Sequence, residues 1–278
     1  MQIKSPLTNP WGTVVPAVAL CLLFFLMPII NMVALSLNTP SGFGLENFYN
    51  FFATEHLRSA LQRSAFLAFS ATLISSLLAW PLAYYIVFCA DKKWRPLLLL
   101  MLLAPFWTSF TIRAFSWQLV LSDNGVIAWL VNFFLGININ LGFLYTISAS
   151  IFGLALFGTM LTTFTLYGAL IAIQRNLLEA AANLGATPFK IFRDIVLPLG
   201  MRGWLAGITL TFIVCVGDYA VPTLLGGGLK PVLAQIMLSV LKGTYDLPRA
   251  ATMAIILTLT VIVSTLPFLL IGYLSQRR

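Results

Sequence analysis

Charge is what this sequence has least of: 9% of its 278 residues are Asp, Glu, Lys or Arg, and 60% are hydrophobic. Soluble domains carry about 25% charged residues. A water-solvated globule is therefore excluded, and the chain is expected to be integral to a membrane. Histidine is nearly absent, His56 standing alone, which leaves little from which to build a His-based metal site or a Ser-His triad. Cys21, Cys89 and Cys215 lie far apart in apolar runs and read as small packing residues, with neither a disulfide framework nor metal-ligand spacing. No Gly-x-x-x-x-Gly-Lys-Ser/Thr phosphate loop occurs; "GGGLKPV" (Gly226 to Val232) comes nearest and lacks the pattern. The chain is therefore not expected to bind ATP itself. Nucleophiles, acids and metal ligands do not cluster, so an enzyme is not expected either. Low-complexity segments are missing, and no internal repeat suggests the inverted halves of many secondary transporters.

What the chain does have is apolar length. A hydrocarbon core about 30 Å thick takes roughly 20 apolar residues per helix. Six runs qualify, at about residues 14–37, 65–89, 96–120, 145–173, 204–225 and 249–273. The expected fold is all-α, a single polytopic transmembrane domain over residues 1–278. The first run exceeds the roughly 7–15 apolar residues of a signal peptide, and Lys4 alone is a poor basic flank. It is expected to remain as a span.

The net charge of +8 suggests nucleic acid until its distribution is considered. Six spans place both termini on one side, with the loops after the second and fourth spans. That side collects Lys4, Lys92, Lys93, Arg95, Arg175, Lys190, Arg193, Arg202, Arg277 and Arg278, opposed by Asp91, Glu179 and Asp194. The other side and the buried positions are nearly balanced. Basic loops stay in the cytoplasm, so both termini are expected there and the charge is a topology signal, with no role for nucleic acid. The outer connections are longer, at about residues 38–64, 121–144 and 226–248. The middle one, "SDNGVIAWLVNFFLGININLG", reads as an interfacial helix followed by a turn.

One stretch departs from the apolar pattern: "NLLEAAANLGATPFKIFRDIVLPLG", Asn176 to Gly200. Asn176 is placed to cap a helix, with Glu179 three residues on as in a capping box. Leu177, Leu178, Ala181 and Leu184 form an apolar stripe at helical spacing. Gly185 supplies a left-handed terminus, and Thr187-Pro188 restarts a helix as N-cap and first residue. Phe189, Phe192, Ile195 and Val196 make a second stripe, with Pro198 marking its expected end. A mere connection needs only a few residues, so a two-helix elbow with apolar residues to spare is a docking surface.

The elbow is similar to the signature of the membrane subunits of bacterial ABC importers: Glu-Ala-Ala, three residues, Gly, nine residues, Ile, one residue, Leu-Pro. Glu179, Ala180, Ala181, Gly185, Ile195, Leu197 and Pro198 fit every spacing. "RPLLLLMLLAPFWTSFTIRAFSW" (Arg95 to Trp117) and "GDYAVPTLLGG" (Gly217 to Gly227) resemble the spermidine/putrescine-type branch, whose relatives also carry opines, iron, phosphonates or other small polar solutes. The resemblance implies that the loop at residues 174–201 is a coupling helix seated on a separate ATPase. It also implies two such ATPase subunits holding ATP and Mg, a second permease chain (identical or homologous), and an extracytoplasmic binding protein. By the same resemblance this is a multi-pass subunit of the bacterial inner membrane, without a cofactor of its own, enclosing half of a translocation path.

Arg113 and Asp218 are the ionisable residues deepest within expected spans, where each costs roughly 2.5–3.5 kcal/mol on insertion. Two readings stand: an intramembrane ion pair joining the third span to the fifth, or a place on the translocation path. Trp107, Phe115, Trp117 and Tyr219 flank them. Aromatic faces attract ammonium groups by about 0.5–2 kcal/mol, but Trp and Tyr also gather at membrane interfaces without any ligand. An ion-driven secondary transporter is the rival class; Asp218 alone would serve it, and the elbow would then have no purpose.

Overall fold

The computed structural model describes residues 10–40, 42–136, 142–228 and 230–274. Lys4, Arg277 and Arg278, which contribute to the charge asymmetry, lie outside the described residues. The described chain is almost wholly helical, as expected for backbone that must satisfy its own hydrogen bonds in lipid. Although the sequence offers no linker, contacts divide the chain into two compact units, Met1–Glu55 with Met237–Ile256, and His56–Ile236 with Leu257–Arg278.

The first unit begins with α1 (Pro10–Leu37), whose long apolar side chains, Phe24 and Phe25 among them, are exposed as a lipid-facing span requires. A short antiparallel pair follows, β1 (Asn38–Thr39) with β2 (Gly42–Phe43), and then α2 (Glu46–Ala53). The Asn47 side-chain amide donates to the Ser36 carbonyl at 3.0 Å and the Asn38 carbonyl at 2.9 Å, tying α2 back to the end of α1. The connection after the first span is therefore built structure.

The second unit carries the elements from α3 onward, except that Met237–Ile256, most of α12 and the start of α13 below, belongs to the first. α3 (Glu55–Tyr84) starts well before the apolar run that predicts it and ends in a π turn, Tyr85–Cys89. The third expected span is not one helix. α4 (Arg95–Leu103) tightens into a 3₁₀ turn (Ala104–Trp107), and the chain is extended at Thr108 and Ser109 before α5 (Phe110–Leu121) resumes. The two apolar pieces are bent by 100°. Pro105 lies at the break, and proline both lacks an N–H and crowds the preceding turn.

α6 (Val126–Leu135) is the expected short apolar helix of the middle connection, closed by Gly136 at φ 64°. α7 (Ile147–Leu170) is the fourth span. α8 (Arg175–Asn183) and α9 (Pro188–Ile191) form the elbow, and α9 runs through a π turn (Phe192–Val196) into α10 (Leu197–Gly217), the fifth span. The short α11 (Ala220–Leu224), α12 (Leu233–Gly243) and the last span, α13 (Leu247–Leu274), complete the chain.

α7 and α10 are the closest-packed pair. In lipid, small residues allow helix backbones to approach, and a Cβ added at Gly207 would stand 2.8 Å from the Thr162 Cα. Buried hydroxyls bridge the seam: Thr162 and Thr211 share a hydrogen bond at 2.9 Å, and Ser75 of α3 donates to the Ala155 carbonyl at 2.9 Å.

Candidate functional site

The elbow begins two residues earlier than its sequence suggests. Gln174, at φ −67° and ψ 128°, occupies the cap position with no side-chain hydrogen bond, and α8 is already helical at Arg175. Asn176 is therefore inside the first turn, and Glu179 is too far along to reach back to the cap, so the expected capping box does not form. Glu179 is exposed and has no hydrogen-bond or ion-pair partner among the described residues.

The joint forms as expected. Gly185 takes φ +82°, its N–H donates to the Ala182 carbonyl at 2.9 Å, and the Ala186 N–H donates to the Ala181 carbonyl at 3.1 Å. These two bonds are the left-handed helix ending that favours glycine. Thr187 then caps α9, its hydroxyl accepting from the Lys190 N–H at 3.4 Å, with Pro188 in the first turn. Pro198 does not end the second helix. The helix continues from Pro188 to Gly217, because the wider π turn over Phe192–Val196 falls where the missing Pro198 amide would break the α ladder.

The elbow has two faces of different character. Outward, Leu184 is 89% exposed, Phe189 72% and Leu177 47%, three apolar knobs among Arg175, Glu179, Lys190 and the exposed Arg193–Asp194 pair at 3.0 Å. Inward, Leu178, Ile191, Phe192 and the buried Val196 pack on Ala83 and Val87 from the end of the second span and on Leu166, Leu170 and Ile173 from the fourth. Of the motif residues, Ala181, Ile195 and Leu197 are half-buried, while Ala180 and Pro198 are exposed. The partners of this inward face, not evident from sequence, are Trp80, Tyr84 and Phe88 of the second span and Trp204 of the fifth. Their signal was an aromatic series four residues apart, which reads as ordinary lipid-facing apolar surface until its partner is known.

No ion pair joins Arg113 to Asp218, although Arg113 and Trp117 line one small pocket with Val221, whose amide Asp218 holds. The Arg113 guanidinium lies over three rings, Phe157 at 4.9 Å, Phe110 at 5.3 Å and Phe106 at 5.9 Å, and its buried Nε and Nη1 lack hydrogen-bond partners. Asp218 instead accepts from the Ala220 and Val221 amides at 3.1 and 3.0 Å, capping α11. Trp107 is 80% exposed and Tyr219 47%, whereas Trp117 stands edge-on to Phe152 at 5.3 Å; the structure does not gather these aromatics into one site. A cavity of about 270 Å³ opens elsewhere in the second unit, lined on its polar side by Tyr145, Thr146, Ser150 and Lys230. None of these four was singled out in the sequence.

Known proteins resemble the chain over nearly its whole length. The spermidine/putrescine transport system permease protein PotB of Escherichia coli (strain K12) is 28% identical over 253 residues, covering 88% of this chain and 91% of that protein. The inner membrane ABC transporter permease protein YdcU of the same strain is 33% identical over 176 residues, 59% of this chain and 56% of that one. In fold, a crystal structure of a bacterial ABC transporter involved in the import of the acidic polysaccharide alginate superposes at a TM-score of 0.74. It has 18% identity and covers 96% of this chain and 94% of that one. The family of binding-protein-dependent transport system inner membrane components matches residues 12–278; the chain belongs to that family, a membrane permease subunit of an ABC importer.

Proposed function

We propose that this permease carries a polyamine such as spermidine or putrescine across the inner membrane into the cytoplasm. Two ATPase subunits would dock on its elbow and on that of a second, identical or homologous permease. An extracytoplasmic binding protein would deliver the solute, and both termini would face the cytoplasm. ATP and Mg belong to the ATPase subunits in this assembly. The observation that carries the docking is the elbow's division of labour. Leu184 and Phe189 stand exposed on a polar rim, while Phe192 and Val196, one and two helical turns beyond Phe189, are packed into the transmembrane bundle. A partner that covers the first pair moves the second. Closure of the ATPase dimer would draw the two elbows together and open the path outward; hydrolysis would let it reopen inward. Glu179, Ala180, Ala181, Gly185, Ile195, Leu197 and Pro198 are the residues assigned to this docking element.

The polyamine assignment rests on the likeness to PotB-named permeases. Asp218, Trp107, Trp117 and Tyr219 are the residues assigned to the solute's path, though they do not form one site and Asp218 already accepts two α11 amides. A second reading has its own support. The unpartnered Arg113 nitrogens and Lys230 at the cavity suit a carboxylate or phosphonate group better than an ammonium, which favours an opine or phosphonate. Uptake into vesicles holding the complete importer, with labelled spermidine and putrescine competed against an opine and a phosphonate, decides between them. Spermidine or putrescine accumulation that the anions do not compete away supports the first reading, and accumulation of an anion alone overturns it.

A further inference from the structure

Two rows of side chains, each spaced four residues apart, face one another beneath the elbow. On the second span the row is Ser76, Trp80, Tyr84 and Phe88; on the elbow and fifth span it is Phe192, Val196, Gly200 and Trp204. The pairing runs antiparallel along their length. The Trp204 indole N–H donates to the Ser76 hydroxyl at 2.8 Å, and the Trp80 ring stands 5.9 Å from that of Trp204 and 5.5 Å from that of Phe192. Tyr84 in turn meets Phe192 at 5.9 Å and Phe88 at 5.0 Å. Rows at this spacing are the ridges by which helices interlock.

The fit is closest at Trp80. A Cβ added at Gly200 would stand 2.9 Å from the Trp80 Cη2, so the indole edge fills the place of the missing side chain. Its flanks are held by Phe192 below and Trp204 above. Both rows also end in a π turn, Tyr85–Cys89 on one helix and Phe192–Val196 on the other. Such turns re-aim side chains within an otherwise regular helix. The second span thus meets the elbow through an aromatic wedge, one polar bond and two local irregularities.

We infer that Trp80 is a positioning residue for coupling: wedged between Phe192 and Trp204 over Gly200, it carries elbow displacement into the second span. The inference rests on the elbow being the ATPase-docking element. The fourth and fifth spans receive the elbow's motion through the backbone, since it connects them. The second span has no such link and receives it by packing, so a gap at Trp80 lets the elbow move without it.

The test uses the complete reconstituted importer carrying Trp80→Ala, Trp80→Phe or Trp204→Phe. It records three quantities: ATPase co-purified, ATP hydrolysed, and solute taken up per ATP. Trp80→Ala should leave co-purification intact and lower solute per ATP by roughly five-fold or more, the lower end of energetic coupling between linked sites. Trp80→Phe should recover much of the loss, and Trp204→Phe, which keeps a ring but deletes the donor to Ser76, should lie between wild type and Trp80→Ala. A purely structural role would reduce the amount of complex at unchanged solute per ATP, and that result overturns the inference. Should Trp80→Ala yield no complex, wild-type solute per ATP in both ring-preserving variants overturns it equally. Leu184→Asp keeps the two readings apart: undiminished ATPase co-purification in that variant contradicts the docking assignment, whatever Trp80 does.

Discussion

Replacing Gly185 by alanine isolates the elbow's backbone geometry from its packing. The residue sits at φ +82°, and a Cβ built there meets nothing within 4 Å. The substitution introduces no clash, and its whole cost is the left-handed backbone, about 1–2 kcal/mol for a residue with a Cβ. That strain can be relieved by unwinding the end of α8, because Gly185 and its neighbours lie on the surface. The membrane core should be indifferent, and the thermal midpoint of the detergent-solubilised permease should not move. The docked elbow, by contrast, must hold the bend, so ATPase affinity should fall by the factor that 1–2 kcal/mol implies, roughly five- to thirty-fold. Titration of ATPase subunits against permease in nanodiscs measures it. Gly185→Asn should lose less, because asparagine visits this region more readily than alanine. Equal affinities for wild type and Gly185→Ala would show that docking does not need the left-handed bend. So would an asparagine variant weaker than the alanine one.

Three further outcomes follow from the geometry. Phe189→Asp and Leu184→Asp should each weaken ATPase docking roughly 10- to 100-fold, since burying one such side chain is worth about 1.5–3 kcal/mol; co-purification yield at graded salt reports it. Because Arg113 and Asp218 have separate partners, Arg113→Ala and Asp218→Ala should be additive in thermal stability to within about 0.5 kcal/mol, and a double-mutant cycle showing much stronger coupling would reveal a pair. Gly207→Leu drives a side chain into the Thr162 backbone and should destabilise the solubilised permease by about 1–3 kcal/mol, as overpacked cores do; an unchanged thermal midpoint would contradict the close α7–α10 seam.

The helices were legible because burial in lipid demands apolar length, and the elbow because its punctuation is local. Gly185, Thr187 and Pro188 act within a few residues of themselves, and their roles could be read one at a time. Three features escaped for a common reason. The break at Thr108–Ser109 lies in a run apolar on both sides, so hydropathy passes over it. The continuation through Pro198 depends on a π turn, which leaves no mark of its own in composition. The partners of Phe192 and Val196 lie on a helix more than a hundred residues away in sequence, at Trp80 and Tyr84 for the first and Ala83 and Val87 for the second, and no local pattern announces a tertiary contact. The separation of Arg113 from Asp218 is of the same kind. Each charge is well placed for an ion pair in a linear map, but the rings of Phe106, Phe110 and Phe157 take one and the amides of α11 take the other.

Coupling to an ATPase requires the elbow to face the cytoplasm and to be covered there. In a background with Cys21, Cys89 and Cys215 replaced by alanine, Phe189→Cys offers a single thiol on the exposed knob. A membrane-impermeant maleimide should label it in inverted vesicles stripped of ATPase, leave it unlabelled in intact cells, and lose access when ATPase subunits are added back. Labelling from outside intact cells, or labelling undiminished by bound ATPase, would contradict the central claim.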